Sequence, residues 1–365
     1  MVSTRLRLPR RPVVRAASFL WLLAYVGFLA VTRLLSQAPP LREPVAAVQF
    51  DGKWGFISRA GQYIFDQRFE GAGNFREGLA PVRVAAKWGY IDTTGRTVIA
   101  PQFEDAGDFS EGLAAVTQGG QTHFIDNSGG QAFGLNVDHA WSFSDGLAMV
   151  EVHHKRGFID RAGRMVVDAQ YEMAFPFSGG LACVERGNWR GLIDHTGEPL
   201  ASAHFDEASG SFSEGLLPVR VGEKWGFIDA QGTTAIAPEF DSALGFSEGL
   251  ARVSKGRRYF FIDKIGRVVI SPRFSHNMGC EGSRFADGLT SVWFDRTRRC
   301  GFIDRNDTLV IRTRFDPLTT FGDFSEGMAA LRTVDGKWGY ISRAGKVVIR
   351  PRFSAASEFA LPDRR

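Results

Sequence analysis

From residue 45 onward the chain alternates apolar and polar positions in short runs. Stretches such as Leu79-Ala80-Pro81-Val82-Arg83-Val84 and Ala148-Met149-Val150-Glu151-Val152 carry the period-two alternation of a half-buried strand. A second run follows, as in Lys87-Trp88-Gly89-Tyr90-Ile91-Asp92. Then come a turn, Asp92-Thr93-Thr94-Gly95, and a third run, Thr97-Val98-Ile99-Ala100, which Pro101-Gln102-Phe103 ends. After residue 43 no long stretch has the 3.6-residue period of a helix. The pattern predicts an all-β chain of units with about three short antiparallel strands each.

The units are copies of one another. An aromatic-Ile-Asp triplet recurs at Phe56, Tyr90, Phe124, Phe158, Leu192, Phe227, Phe261, Phe302 and Tyr340, at steps of 34, 34, 34, 34, 35, 34, 41 and 38 residues. Nine matches at near-constant spacing define a repeat of about 34 residues. Asp92, Asp126, Asp160, Asp194, Asp229 and Asp263 each have Gly three residues later. Asp can accept hydrogen bonds from its own following backbone, and Gly adopts a positive φ freely, which together specify a tight hairpin. The eighth unit departs, with Asp307 where Gly is expected after Asp304.

Lys53-Trp54-Gly55, Lys87-Trp88-Gly89, Lys224-Trp225-Gly226 and Lys337-Trp338-Gly339 open the second strand of their units. With the Pro-x-Phe and Phe-Ser-Glu-Gly-Leu elements, they make residues 45–360 resemble the WG (or KWG) repeat family. Arg156-Gly157, Arg190-Gly191 and Cys300-Gly301 keep only the Gly, and Thr122-His123 and Tyr259-Phe260 keep neither. The resemblance implies a bacterial all-β repeat protein, often exported, with no catalytic residues to carry over. Units this short, and nine of them, favour an open curved solenoid of three-stranded units, with β-propeller-like closure as the alternative.

Charge changes the picture at the N-terminus. The chain has 44 basic and 40 acidic side chains, yet residues 1–42 hold seven Arg and no acid. Without them the body has 44 − 7 = 37 basic residues against 40 acidic ones. A nucleic-acid-binding surface needs its basic excess on the folded part, so nucleic acid is not an expected partner. Five Arg precede an apolar run bounded by Ala16 and Thr32, at the border between a signal-peptide core and a spanning helix. The expected division is a signal or anchor segment at 1–36, a linker at 37–44 and the repeat domain at 45–365. The Arg-rich end stays in the cytoplasm, placing the repeats in the periplasm or outside; a cleaved signal with a secreted body is the alternative.

Most candidate chemistry has a structural explanation. Of 31 Phe, 21 fall at three fixed repeat positions, as stacked units require. Glu77, Glu111, Asp145, Glu214, Glu248, Asp287 and Glu326 each precede a Gly, and one acid per unit suits loop capping better than a Ca²⁺ site. The seven His show no metal-ligand spacing, so no metal, cofactor or catalytic residue is expected. Cys183 is expected to be a small buried apolar residue. Cys280 and Cys300 flank the first strand of unit eight and are a candidate disulfide in an exported protein. The longest insertions are 275–284 and 295–299, and the second places Arg296, Arg298 and Arg299 near Trp293. These four residues form the candidate binding patch, suited to an acidic glycan or a lipid headgroup. The expected function is a non-catalytic binding scaffold for a protein or a cell-wall glycan. A glycan-active enzyme and a purely structural spacer are the alternatives.

Overall fold

A computed structural model describes residues 43–66, 68–200, 205–256, 258–271, 284–293, 299–313 and 319–362, with only the backbone at Trp293. The expected anchor, and the apolar run bounded by Ala16 and Thr32 within it, lie outside the described residues. Among those described, no helix is long and apolar enough to cross a membrane.

The nine repeats build nine small antiparallel sheets. In the second, Gly71–Ala72, Leu79–Val84, Lys87–Asp92 and Thr97–Phe103 pair in chain order. The repeat is therefore four-stranded, not three-stranded as the alternation suggests. The missing strand is two residues long, too short to show a period. It follows the Pro-x-Phe element and so belongs to the next sheet, not to the unit it appears to end.

That shift of phase closes the ring. Ala355–Ala356 is the short strand of the last repeat. It pairs with Val45–Phe50, with Val48 opposite Ala356 and Gln49 opposite Ala355. Val45 and Ala360 exchange both backbone hydrogen bonds at 2.9 Å. The molecule is a nine-bladed β-propeller, and the open solenoid is corrected to its alternative. Blades are numbered here in chain order, blade 1 being the shared one. Closure removes the exposed sheet ends that a solenoid would have to cap.

Local sequence explains the blade. Asp92 Oδ1 accepts the N–H groups of Thr94 and Arg96 at 2.9 and 3.0 Å, and Gly95 follows at φ +83°. The same bonds recur at Asp126, Asp160, Asp194, Asp229, Asp263 and Asp304. Gly of the Trp-Gly pair is required by backbone approach. A Cβ on Gly226 would lie 2.5 Å from the Ile236 carbonyl oxygen and 2.7 Å from Pro238 N, where the outer strand bulges. Gly226→Ala is expected to cost about 1–3 kcal/mol, as overpacking does. A urea midpoint equal to that of the parent chain would refute this account of the Gly.

The core lies between blades. The triplet aromatics are fully buried, and each meets the Phe of the next blade's Phe-x-x-Gly loop, or Phe359, which holds that place without the Gly. Phe56–Phe75, Tyr90–Phe109, Phe124–Phe143, Phe158–Phe177, Phe227–Phe246, Phe261–Phe285, Phe302–Phe324 and Tyr340–Phe359 have ring centroids 4.7–5.0 Å apart. Only the seam after Leu192 lacks a ring to make this pair.

Candidate functional site

An antiparallel meander sends alternate connections to opposite faces. Loops joining first to second strands therefore share a face with the Asp-Gly turns, and the second-to-third hairpins lie on the other face.

On the first face the acids before Gly form a belt. Glu77 accepts the N–H of Gly112 at 2.8 Å, Asp145 that of Gly180 at 2.6 Å, and Asp287 that of Gly327 at 2.6 Å. Glu111, Glu214 and Glu248 do the same for Gly146, Gly249 and Gly288. Each carboxylate thus caps a loop of the following blade, not its own. These residues hold left-handed backbone, with φ of 50° at Glu77 and 54° at Glu111, a conformation that non-Gly residues adopt only at a cost. The seam contact offsets that cost.

At several seams a basic side chain after the triplet reaches the belt. Lys264 approaches Glu214 at 3.2 Å and Arg305 approaches Glu248 at 3.0 Å. Arg161 donates to the Glu111 carbonyl at 2.7 Å, and His195 lies 3.6 Å from Asp145 while stacked on Phe177. Arg59 reaches Glu326 at 3.6 Å across the closed ring. A cavity of about 880 Å³ opens over the belt at blades 2–4, lined by Glu77, Glu111, Asp145 and Arg161 with Ser110 and Ser144.

On the opposite face, the Lys that opens the third strand of a blade pairs with an acid 17 residues later on the next blade. Lys87–Glu104, Lys155–Glu172 and Lys224–Asp241 are such pairs. Trp54, Trp88, Trp225 and Trp338 are half-buried. Each shares an apolar cluster with the Ala of the next blade's short strand, namely Ala72, Ala106, Ala243 and Ala356. The indole is a plug between blades.

One seam departs at every one of these positions. Between blades 5 and 6, Gly179 replaces the capping acid and Ala230 replaces the cation that would meet it. Leu192 replaces the triplet aromatic, Trp189 the Lys and Arg190 the Trp. A crevice of about 430 Å³ opens there. Arg190 forms a bidentate pair with Glu185 at 3.0 Å and donates to the Asp206 carbonyl. Arg220 pairs with Glu207 at 2.8 Å. Cys183 lines the crevice as a half-buried free thiol, where burial pushes its pKa up to about 12. It is thus protonated and a poor nucleophile. A smaller crevice of about 180 Å³ opens beside Thr122, which stands in the Trp position of blade 3.

The residues marked by sequence are only partly brought together. Trp293 lies in the strand Thr290–Trp293, its backbone opposite Cys300. Arg299 is exposed. Arg296, Arg298 and Cys280 lie outside the described residues. Cys300 is buried and disulfide-bonded. His153 and His154 form an exposed hairpin tip, each at positive φ. Among the described residues, no group of His, Cys, Asp and Glu is placed to hold a metal ion. The blade 5/6 crevice was not singled out. Reading down the aligned repeat columns would have found it, because Gly179, Trp189 and Leu192 each break their columns.

The sequence profile of a family described as WG containing repeat matches residues 54–88, 88–121, 157–188, 191–225, 225–259, 301–338 and 338–360. No curated protein matches the sequence. Among solved structures, a eukaryotic initiation factor superposes with TM-score 0.61 at 12% identity, over 89% of this chain and 99% of that one. BamB from Moraxella catarrhalis gives TM-score 0.44 at 13% identity, over 82% and 94%. Apo AztD from Citrobacter koseri gives 0.44 at 11%, over 88% and 99%. The first likeness concerns the fold alone.

Proposed function

The chain belongs to the family of WG-containing repeat proteins, and from that premise we propose that it is a non-catalytic binding scaffold of the cell envelope. In this reading the N-terminal apolar segment anchors or exports the chain. The ring then faces the periplasm or the outside and holds a protein or a cell-wall polymer. The observation that supports a scaffold is how the recurring carboxylates are used. Glu77, Glu111, Asp145, Glu214, Glu248 and Asp287 each accept a backbone N–H from the neighbouring blade. These six recurring carboxylates, the ones a glycan-cleaving mechanism could have drawn on as acid and base, are committed to holding blades together.

Affinity capture tests this. The immobilised chain is offered envelope proteins and cell-wall fragments, with mass-spectrometric readout. One saturable partner, enriched over bare matrix, is the expected result; no enrichment contradicts the scaffold. Alanine at Trp293, Arg298 and Arg299 locates the contact. Loss of capture places it at the blade 8 insertion, and intact capture moves it elsewhere on the ring.

A further inference from the structure

We propose that the crevice between blades 5 and 6 is a binding site for an aromatic side chain presented by a partner peptide. The proposal rests on the scaffold reading and assigns it a place. Four blades show how this position can be filled. Trp54, Trp88, Trp225 and Trp338 each fill the gap toward the next blade, against Ala72, Ala106, Ala243 and Ala356. Ala208 is the equivalent Ala at the blade 5/6 seam, and it lines the crevice. The indole that would cover it is absent because residue 190 is Arg. Arg190 does not fill the gap. Its guanidinium is drawn aside to Glu185 and to the Asp206 carbonyl, leaving about 430 Å³.

The chemistry of the walls selects an aromatic ring. Met173 offers a thioether, which packs favourably on ring edges. Phe175 and Phe205 offer faces for edge-to-face contact. Arg190 and Arg220 offer guanidinium groups for a ring face. Both are already neutralised by Glu185 and Glu207, so the site carries no net charge to attract a simple anion. It also lies at the seam where the acid cap, its cation, the Lys–acid pair and the aromatic pair are all missing. A ligand inserted between these blades therefore displaces none of those four contacts.

The probe is N-acetyl-L-tryptophanamide, a neutral mimic of a peptide Trp, titrated against the full chain carrying ¹³C-methyl methionine. The Met173 methyl signal is expected to shift saturably. Arg190→Trp restores the repeat's own plug and is expected to abolish the shift while unfolding at or above the parent temperature. Thr122→Trp, which plugs the blade 3 crevice instead, is expected to leave the shift unchanged. A Met173 signal that stays still at millimolar probe overturns the site whatever the variants do. So does a shift that persists in folded Arg190→Trp, or one that Thr122→Trp removes. A silent Met173 with successful envelope capture overturns this site and leaves the scaffold standing. Failed capture with a responsive Met173 overturns the envelope partner and leaves the site.

Discussion

Truncation after Ser354 is expected to abolish the cooperative thermal unfolding of the ring. The cut removes Ala355–Ala356, which completes blade 1 against Val48 and Gln49. It also removes Phe359, which is 1% exposed and packs on Tyr340 at 4.8 Å. Losing a buried Phe alone costs about 3–5 kcal/mol. The hydrogen bonds of Val45 with Ala360 and of Ser357 with Ala47 go with it, each worth about 1 kcal/mol net. Against a total stability of about 5–15 kcal/mol, that is a large share. Without its closing strand, blade 1 also presents an unpaired edge. Calorimetry reads the outcome. A truncated chain with the parent melting profile would mean that closure contributes little.

Phe158→Ala is expected to be the most damaging single substitution within a seam, at about 3–5 kcal/mol. Phe158 is 0% exposed, and its ring lies 4.7 Å from that of Phe177, nearly perpendicular at 72°. It joins a cluster with Val167, Tyr171, Val184 and Ile193 that spans blades 4 and 5. Neither blade can collapse onto the void without breaking its partner's sheet. Phe50→Ala, at a site 43% exposed, is the control and is expected to stay within about 0.5 kcal/mol, as surface substitutions do. Urea titrations compare the two through their midpoints. Equal losses would show that the buried seams do not carry the stability.

Much of this was legible in the sequence. The nine triplets number the blades, and the Asp-Gly spacing marks the turns, because both are local rules of backbone geometry. The fixed Phe positions announce stacking between units. Closure was not legible. It depends on a strand of two residues, Ala355–Ala356, which carries no periodicity. Its pairing partner is about 300 residues away in sequence. The acids before Gly are legible as caps, but not as caps on another blade, since Glu77 and Gly112 are 35 residues apart. The crevice stayed hidden for a different reason. A site made by omission shows as a few ordinary residues, and only comparison with the other blades makes Leu192 or Gly179 unusual. The patch around Trp293 and Arg299 follows the opposite logic, a basic insertion that stands out in sequence.

Ring closure carries the whole account, since it sets the blade phase, the seams and the one seam that differs. Gln49→Cys with Ala355→Cys tests it directly. These positions face each other across the closing pair yet lie at opposite ends of the repeat domain in sequence. After mild oxidation and digestion, mass spectrometry is predicted to find the two peptides joined within single monomers. Cysteines that stay unlinked, or that link only between separate chains, would mean that the repeats form an open array.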